Sequence, residues 1–430
     1  MGLRAHAVQG SSSGNCQSVS RSSVANTVGK NVDTQPVETP MLPHGQSPAT
    51  ACVLGDLDMV APLTLAGIRC AIVAPPGDPA RYSRRAEWIG WADPRTHPDD
   101  LLALLLEYAS RHPERPVLYY QSDQHAQFVS RHEAQLASAF RVLITKASLL
   151  EDLLDKLRFQ ELAERLALPV ARSQVIDPRT TSPEQCELSF PALIKPSSRG
   201  DARWADLEPA RKAIRMESRA ELSDIWSRLV DFGSPVLAQE LIPGPETHIE
   251  SYHAYLDATG GVRGEFTGKK LRTKPAEFGR STALVITDQS DVKELGHSIC
   301  QRLELRGVAK VDFKRDASGT LWLLEVNPRY TLWFHPAAKA GVNIPAMVWS
   351  DLTGHPIPSQ DALATGVTWC SPWDASAARA EGLSFLGWLV WLRRCEARSM
   401  MDWRDPLPFL RLCVQRGQRF LQQRLGRHAS

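Results

Sequence analysis

Two carboxylates and an amide stand at the facing ends of two predicted strands. Residues 307–315 and 320–326 flank a turn signal, DASG, and therefore predict an antiparallel hairpin. Side chains alternate along a strand, so Asp312 lies opposite its apolar neighbours, while Glu325 and Asn327 share one side. If the strands pair, the three side chains converge. Their oxygens suit Mg²⁺, which keeps water and phosphate oxygens as its other ligands. The alternative is an exposed hairpin with ordinary polar residues at its end.

Basic residues near this hairpin and earlier in the chain could contact phosphate. Arg329 follows Asn327 closely enough to reach a phosphate bound there. Upstream, the apolar run FPALIK ends in Lys195, whose ammonium is costly to bury unless it meets an anion. The next residues include Ser197 and Ser198 in a loop that can offer backbone N–H groups to phosphate. These positions predict a phosphate-binding surface.

The elements that position these residues begin with alternating strands and helices. Four short apolar runs, at 51–55, 70–74, 116–120 and 141–145, are separated by helical patterns and predict a parallel, Rossmann-like sheet. The G-x-G-x-x-G dinucleotide fingerprint is absent. Residues 82–85 and 122–123 follow the carboxyl ends of predicted strands, where ligands bind in open α/β sheets. Taken one at a time, each of these residues is more often an ordinary solvated loop residue.

The chain resembles the ATP-grasp superfamily of carboxylate–amine ligases in the order of its motifs and in their residues. The string VDFKRDASG…LLEVNPR follows that family's acidic strand and E-x-N-x-R strand end. The segments DKLRFQELAERLALPV, FPALIKPSS and QELIPGPE follow its nucleotide-binding motifs in the same order. The form K-x-R…P-x-x-F-G-x-S-T resembles the D-aspartate ligase and carbamoyl-phosphate-synthase-like branch. The loop after Lys195 departs from many relatives in holding a single glycine.

The resemblance implies a role for each residue in these motifs. It implies that Mg²⁺, or alternatively Mn²⁺, is held by Asp312, Glu325 and Asn327. It implies that ATP contacts a second set of residues, with the lysines and serines on the phosphates and the others on the nucleoside: Lys156, Lys195, Ser197, Ser198, Gln239, Glu240, Leu241, Ile242 and Glu246. Positive charge is needed to stabilise phosphoryl transfer, and the cations predicted to supply it are Lys270, Arg272, Arg280 and Arg329.

The implied activity is ATP-dependent ligation. A carboxylate would attack the γ-phosphate to give an acyl phosphate and ADP, and an amine would then displace phosphate. The expected partners are therefore ATP and small-molecule carboxylate and amine substrates. Two alternatives stay open: carboxylation or carbamoyl phosphate formation by the same fold, and a non-catalytic ATP-binding module with a regulatory role.

The composition of the sequence limits the classes of protein to which the chain can belong. The chain has 430 residues, 43% hydrophobic and 23% charged, which is typical of a soluble globular protein. A formal charge of +2 argues against a nucleic-acid partner. The eight cysteines form no C-x-x-C pair, which fits reduced thiols in a cytoplasmic protein. No apolar run approaches the roughly 20 residues that a membrane-spanning helix needs.

The predicted fold class is α/β and α+β, in four segments. A disordered segment at 1–49 precedes a Rossmann-like domain at 50–146, a two-lobed ATP-grasp domain at 147–355 and a basic helical extension at 356–430. The extension is rich in arginine and amphipathic. A helical cap on the enzyme body is favoured over peripheral contact with a membrane surface or an acidic partner. Nothing in the sequence sets the oligomeric state.

Overall fold

A five-stranded parallel sheet with four helices forms the first part of the fold. The computed structural model describes residues 50–197, 202–207, 213–360 and 362–427. The first strands and helices are β1 (Ala51–Leu54), α1 (Leu57–Leu65), β2 (Cys70–Val73), β3 (Ala86–Gly90), α2 (Pro98–Ser110), β4 (Val117–Tyr120), α3 (Asp123–Arg131), α4 (Glu133–Ala139) and β5 (Arg141–Val142). The strand order is β3-β2-β1-β4-β5, and every neighbouring pair is parallel.

Burial explains which strands of this sheet the sequence predicts. Every residue of β1, β2 and β4 is buried, so these central strands are continuous apolar runs. The edge strand β3 was not predicted, because its residues are only partly buried and include Glu87. At the carboxyl end of β4, the Ser122 hydroxyl accepts a hydrogen bond from the His125 N–H and caps α3. This cap places Asp123 at the sheet edge where ligands bind in α/β proteins.

A small antiparallel lobe follows. Its elements are α5 (Ala147–Leu154), α6 (Lys156–Arg165), β6 (Ser173–Ile176), β7 (Ala192–Pro196), α7 (Ala202–Leu207), β8 (Ile214–Met216), α8 (Arg219–Asp224), α9 (Trp226–Phe232) and β9 (Val236–Glu240). The four strands run in the order β6-β9-β7-β8. Residues of the sheet, such as Ile194, share one apolar core with Trp204 of α7 and Phe232 of α9. Lys195 of β7 and Gln239 of β9 lie on the side of this lobe that faces the next one.

The largest sheet has seven strands and includes the C-terminal segment. Its elements are β10 (Ile249–Leu256), β11 (Val262–Lys274), β12 (Arg280–Thr287), α10 (Ser290–Arg302), β13 (Gly307–Arg315), β14 (Leu321–Asn327), α11 (Phe334–Lys339), α12 (Ile344–Thr353), β15 (Thr368–Cys370), α13 (Asp374–Ala380), α14 (Phe385–Arg394), β16 (Ala397–Arg398) and α15 (Leu407–Arg427). The order is β14-β13-β10-β11-β12-β15-β16. All neighbours are antiparallel except β15 and β16.

Alternation along β10 and β13 gives this sheet one apolar and one polar face. Tyr252, Val311 and Phe313 are buried in a core shared with α10. The intervening residues Lys310 and Asp312 therefore point to the opposite face. The sheet thus carries its charged residues toward the small lobe, on the side away from α10.

One buried carboxylate joins three parts of the chain. Asp58 of α1 accepts hydrogen bonds from His335 Nδ1 at 2.7 Å, Trp369 Nε1 at 2.9 Å and Ser399 Oγ at 2.6 Å. These partners lie on α11, on β15 and just after β16. The C-terminal segment is therefore fixed against both larger sheets.

The predicted fold class is confirmed: a Rossmann-like sheet, two α+β lobes and a helical C-terminal segment follow one another. We propose domain boundaries at 146, just before α5, and at 355, just after α12. Among the described residues, no helix is both long and apolar enough to cross a bilayer.

Candidate active site

The β13–β14 hairpin brings the predicted metal-binding residues together. Asp312 pairs directly with Glu325, and Lys310 pairs with Asn327. Asn327 Nδ2 donates a hydrogen bond to Glu325 Oε1 at 3.1 Å. Asp312 is buried and accepts hydrogen bonds from the Ser251 hydroxyl and the Lys310 ammonium. Two carboxylates and an amide thus lie side by side at one end of the hairpin.

A cavity opens between the small antiparallel sheet and the seven-stranded sheet. Its walls include Asp312, Glu325 and Asn327 from the hairpin. The predicted ATP-contacting residues that also line it are Lys156, Lys195, Gln239, Glu240, Leu241, Ile242 and Glu246. The structure therefore gathers residues from distant parts of the sequence around one space.

The two upstream lysines approach the cavity from adjoining elements. Lys156 opens α6, and its ammonium donates to the Pro196 carbonyl at 3.1 Å, while its backbone N–H donates to the Ser197 carbonyl at 2.8 Å. Lys195 ends the apolar part of β7 and donates to Gln239 Oε1 at 2.5 Å. These contacts hold both cations beside the strand end where phosphate binding is predicted. Ser198 lies outside the described residues.

The segment after β9 forms a second wall of the cavity. The Glu240 and Leu241 N–H groups donate to the Arg172 and Pro191 carbonyls, each at 2.9 Å. The Glu240 carboxylate accepts from the Ser189 N–H at 3.0 Å, so it faces the small lobe. Apolar side chains, among them Leu153, Phe159, Leu193, Ile249 and Val326, complete the wall. An apolar slot bordered by polar backbone suits a flat heterocycle.

Lys270 is the member of the predicted catalytic cations that lines the cavity directly. It lies on β11, and the tip of the β11–β12 hairpin contributes Phe278 and Gly279 to the same wall. A Cβ at Gly279 would lie 1.9 Å from the Pro275 carbonyl oxygen, so the fold of this tip requires glycine. The tip thereby brings the basic stretch of the sequence to the cavity.

Arg272 and Arg280 do not belong to the cavity wall. Arg272 Nε and Nη2 donate to the two carboxylate oxygens of Asp374 at 2.8 and 2.7 Å, and its guanidinium lies 4.2 Å from the Trp391 ring centroid. Arg280 starts β12 as an exposed residue. The side chain of Arg272, for which a catalytic role was predicted, is therefore held by the buried Asp374 of the C-terminal segment.

Arg329 reaches the border of the site through a charged pair. Its Nε pairs with the Asp123 carboxylate, which lines the cavity, and Nη2 donates to Asn327 Oδ1 at 3.1 Å. Nη1 donates to the Gln121 carbonyl at 3.2 Å. Arg329 thus links the first sheet to the β13–β14 hairpin. It also fixes the Asn327 amide, leaving its NH₂ group toward Glu325.

The sequence reasoning missed two cations beside Asp312: Lys314 lines the cavity, and Lys310 contacts the Asp312 carboxylate. Burial lowers the pKa of Lys310, although the negative charges of Asp312 and Glu325 oppose this shift. Burial also lowers the pKa of Lys314, and the negative charge of Glu246 opposes that shift. Both lysines stand two residues from Asp312 on β13 and therefore share its face. The alternation that identified Asp312 was the signal that could have found them.

The donor set fits a hard divalent cation. Two opposed carboxylates and an amide offer oxygen ligands of the kind that Mg²⁺ prefers. Within the described residues, no group of three or more His, Cys, Asp or Glu side chains could hold a metal. A cation at this hairpin would therefore need Asn327 and oxygens from a ligand or water, which is the usual mixture around protein-bound Mg²⁺.

Comparisons with known proteins identify relatives of this arrangement. Residues 234–369 match a family model described as ATP-grasp in the biosynthetic pathway with Ter operon. The D-aspartate ligase of Enterococcus faecium (strain Aus0004) is 25% identical over 285 residues, covering 64% of this chain and 68% of that protein. The D-alanine–D-alanine ligase of Ectopseudomonas mendocina (strain ymp) is 27% identical over 183 residues, covering 40% and 55%. The latter match thus spans about half of the relative.

A solved structure with the same fold extends the similarity over most of the chain. The L-amino acid ligase from Bacillus licheniformis superimposes with a TM-score of 0.54 at 14% sequence identity. The match covers 72% of this chain and 75% of that one. At this identity the likeness is one of fold, and it includes more of the chain than the family model does.

Proposed function

We propose that this chain, a member of the ATP-grasp superfamily, is an ATP-dependent ligase that joins a carboxylate to an amine. The observation that carries the proposal is the pairing of Asp312 with Glu325 in a cavity that Lys156, Lys195 and Lys270 also line. Opposed carboxylates facing several lysines form a site for a metal-bound polyphosphate. In a cavity that bound an apolar ligand, the two carboxylates would repel each other.

ATP fits this cavity with its base against the apolar wall and its phosphates toward the hairpin. The slot beside Leu241 and Ile242 would take the adenine, and Glu246 would face the ribose. Lys156 and Lys195 would contact the phosphates. Asp312, Glu325 and Asn327 would hold Mg²⁺, which supplies charge neutralisation for the phosphate oxygens when it is bound.

The reaction we propose needs no nucleophile from the protein. A substrate carboxylate oxygen attacks the γ-phosphorus, and the bond to the ADP oxygen breaks. The amine nitrogen then attacks the acyl carbon, phosphate leaves with the electron pair, and the nitrogen releases a proton as the amide forms. Lys270, which lines the cavity, and Lys310, which pairs with Asp312, would supply positive charge near the transferred group, where prearranged charge lowers the barrier. Positioning supplies the remainder.

The Asp123–Arg329 pair favours an amino acid as one substrate. It presents one negative and one positive group at the cavity border, at the carboxyl end of β4. An amino acid carries the complementary ammonium and carboxylate, and could exchange partners with the pair. The D-aspartate ligase and D-alanine–D-alanine ligase relatives are named for amino acid substrates.

An ADP-release screen tests the proposed function. The full chain would be incubated with ATP, Mg²⁺ and amino acids singly and in pairs, with bicarbonate as a separate arm. We expect ADP formation that requires two organic substrates and equals the amide formed. ADP formation that instead requires bicarbonate would identify carboxylation or carbamoyl phosphate chemistry. Tight ATP binding without turnover across the screen would favour a regulatory module.

Replacing Lys195 with methionine should raise the KM for ATP. A hydrogen bond from a charged group is worth about 1.5–3 kcal/mol, so an increase of about 10- to 100-fold is expected. Initial rates at varied ATP measure the effect. Lys146→Met is the matched control, because Lys146 is exposed and forms a surface pair with Glu304. An unchanged KM in Lys195→Met would exclude this lysine from the nucleotide site.

The lowered pKa of Lys310 predicts an alkaline limb in the rate profile. Burial favours the neutral amine, so the charge needed for phosphoryl transfer is lost as pH rises through a pKa below the ordinary lysine value. We expect kcat/KM to fall there. Arginine stays charged across the accessible range, so the limb should vanish in Lys310→Arg. A limb that persists unchanged in this variant would assign the titration to another group.

A further inference from the structure

The C-terminal segment exposes an unusual amount of apolar surface. In the part of the chain that the structure describes, most of the exposed large hydrophobic side chains lie between Trp373 and Leu421. On α14, Phe385 and Leu386 are 66% and 74% exposed, and Trp403, just before α15, is 85% exposed. Isolated exposed apolar residues are normal, whereas a concentration of this kind marks a binding surface.

The exposed residues of α15 form a stripe. Leu407, Leu410, Val414 and Leu421 are all exposed, and their spacing of three, seven and fourteen residues places them on one side of a helix. Leu412 is buried and marks the inner side. The helix therefore has an apolar face toward the body and a second one toward solvent.

Both helices are held firmly enough to present these faces. Trp391 and Leu392 of α14 and Phe409 of α15 pack against one small core of Cys370, Cys395 and Met401. Two arginines of α15 also hold the helix by stacking on aromatic rings. The Arg416 guanidinium lies 3.7 Å from the Trp373 ring centroid, and the Arg411 guanidinium lies 5.2 Å from the Tyr82 ring centroid. The exposed stripes are thus the outer sides of docked helices.

The sequence of this region carries a strongly positive charge. Nine arginines lie between Arg393 and Arg427, while its acidic residues are Glu396, Asp402 and Asp405. Asp402 is paired with Arg85, and Asp405 is buried against Ser83. Two of the three acidic groups are therefore occupied on the inner side. The outer surface combines arginines with leucine, phenylalanine and tryptophan.

We propose that this surface, made by α14, the Trp403 loop and α15, docks on an anionic lipid bilayer. Basic groups beside large apolar side chains match the phosphate layer and the upper acyl region of a membrane. A second copy of the chain is a poorer occupant, because a two-fold interface would bring together two copies of the same arginine-rich surface. The attachment is peripheral, and it is independent of the ligase proposal.

Vesicle flotation of the full chain tests the proposal. We expect the protein to float with phosphatidylcholine vesicles containing a quarter phosphatidylglycerol, to remain unbound with pure phosphatidylcholine, and to be released by high salt. The double variant Phe385→Ser/Trp403→Ser should lower the bound fraction by at least about tenfold. Both residues are exposed, so folding should survive. Trp91→Ser, another exposed tryptophan, is the matched control.

Two results would overturn the proposal. One is the absence of binding to the anionic vesicles. The other is a concentration-dependent dimer that Phe385→Ser/Trp403→Ser dissociates, which would identify a second copy as the occupant. ADP formation by the double variant in solution should equal that of the wild type. A loss of flotation with retained turnover therefore tests the surface separately from the active site.

Discussion

Replacing Glu325 with glutamine should lower the rate of ADP formation by about 10²- to 10³-fold while leaving the fold intact. Glutamine keeps the size of the side chain and an oxygen for the Asn327 NH₂ group, but removes the negative charge. The charge matters because Glu325 and Asp312 together face the lysines of the cavity and would hold the metal of the nucleotide. A coupled assay of ADP release measures the rate, and a thermal melt measures whether the fold is intact.

Glu107→Gln provides the control for this substitution. Glu107 pairs with Arg111 on the exposed side of α2 and is not among the residues that line the cavity. Glu107→Gln makes the same chemical change at a surface ion pair, which contributes about 0–1 kcal/mol to the free energy of unfolding. Wild-type turnover in Glu325→Gln would remove the catalytic assignment. An equal loss in both variants would show that the assay reports something other than the site.

The β13–β14 hairpin was predictable because its geometry is local. The turn after Arg315 joins two strands that are neighbours in the sequence, so alternation and a short connection bring Asp312 opposite Glu325. The first strand, 307–315, has in the structure the bounds that the pattern predicted. The same alternation also placed Lys310 on the polar face. That lysine was overlooked because a basic residue in a strand is usually solvated.

Contacts between distant segments could not be predicted in the same way. Arg272 was assigned to catalysis from its motif, yet its partner Asp374 lies 102 residues further along the chain, beyond the segment that carries the resemblance. The Asp123–Arg329 pair joins positions 206 residues apart. No local periodicity encodes such pairs, because they depend on how sheets and helices pack. The sequence therefore indicates which residues are charged, and the packing decides which of them reach the cavity.

The C-terminal segment supports the β11–β12 hairpin through a buried ion pair. Asp374, whose side chain is 0% exposed, accepts hydrogen bonds from Arg272, Thr282 and Trp388 at 2.7–3.0 Å. Arg272 and Thr282 lie on β11 and β12, the two strands whose connecting tip lines the cavity beside Lys270. We therefore propose that Arg272 positions the tip and does not act on the reacting phosphate.

Replacing Asp374 with alanine should lower the free energy of unfolding by about 3–5 kcal/mol. The substitution leaves the Arg272 guanidinium, 12% exposed, without its carboxylate, and an unpaired buried charge is strongly unfavourable. Denaturant unfolding measures the change. Arg263→Met is the comparison, because Arg263 lies on the same strand and pairs with Asp257 while half-exposed. Its loss should cost no more than about 1 kcal/mol.

The double variant Arg272→Met/Asp374→Leu separates a positioning role from a catalytic one. Apolar replacement of both partners leaves no unpaired charge, so the double variant should be more stable than Asp374→Ala, although Thr282 and Trp388 still lose their acceptor. If Arg272 only positions the hairpin tip, kcat should recover together with stability, and the KM for ATP should be near the wild-type value. A variant that is stable but lacks turnover would instead show that the guanidinium acts on the transferred phosphoryl group. Because Lys270 is unchanged and Asp374 is removed in both Asp374→Ala and the double variant, comparing these two variants reports on the Arg272 guanidinium.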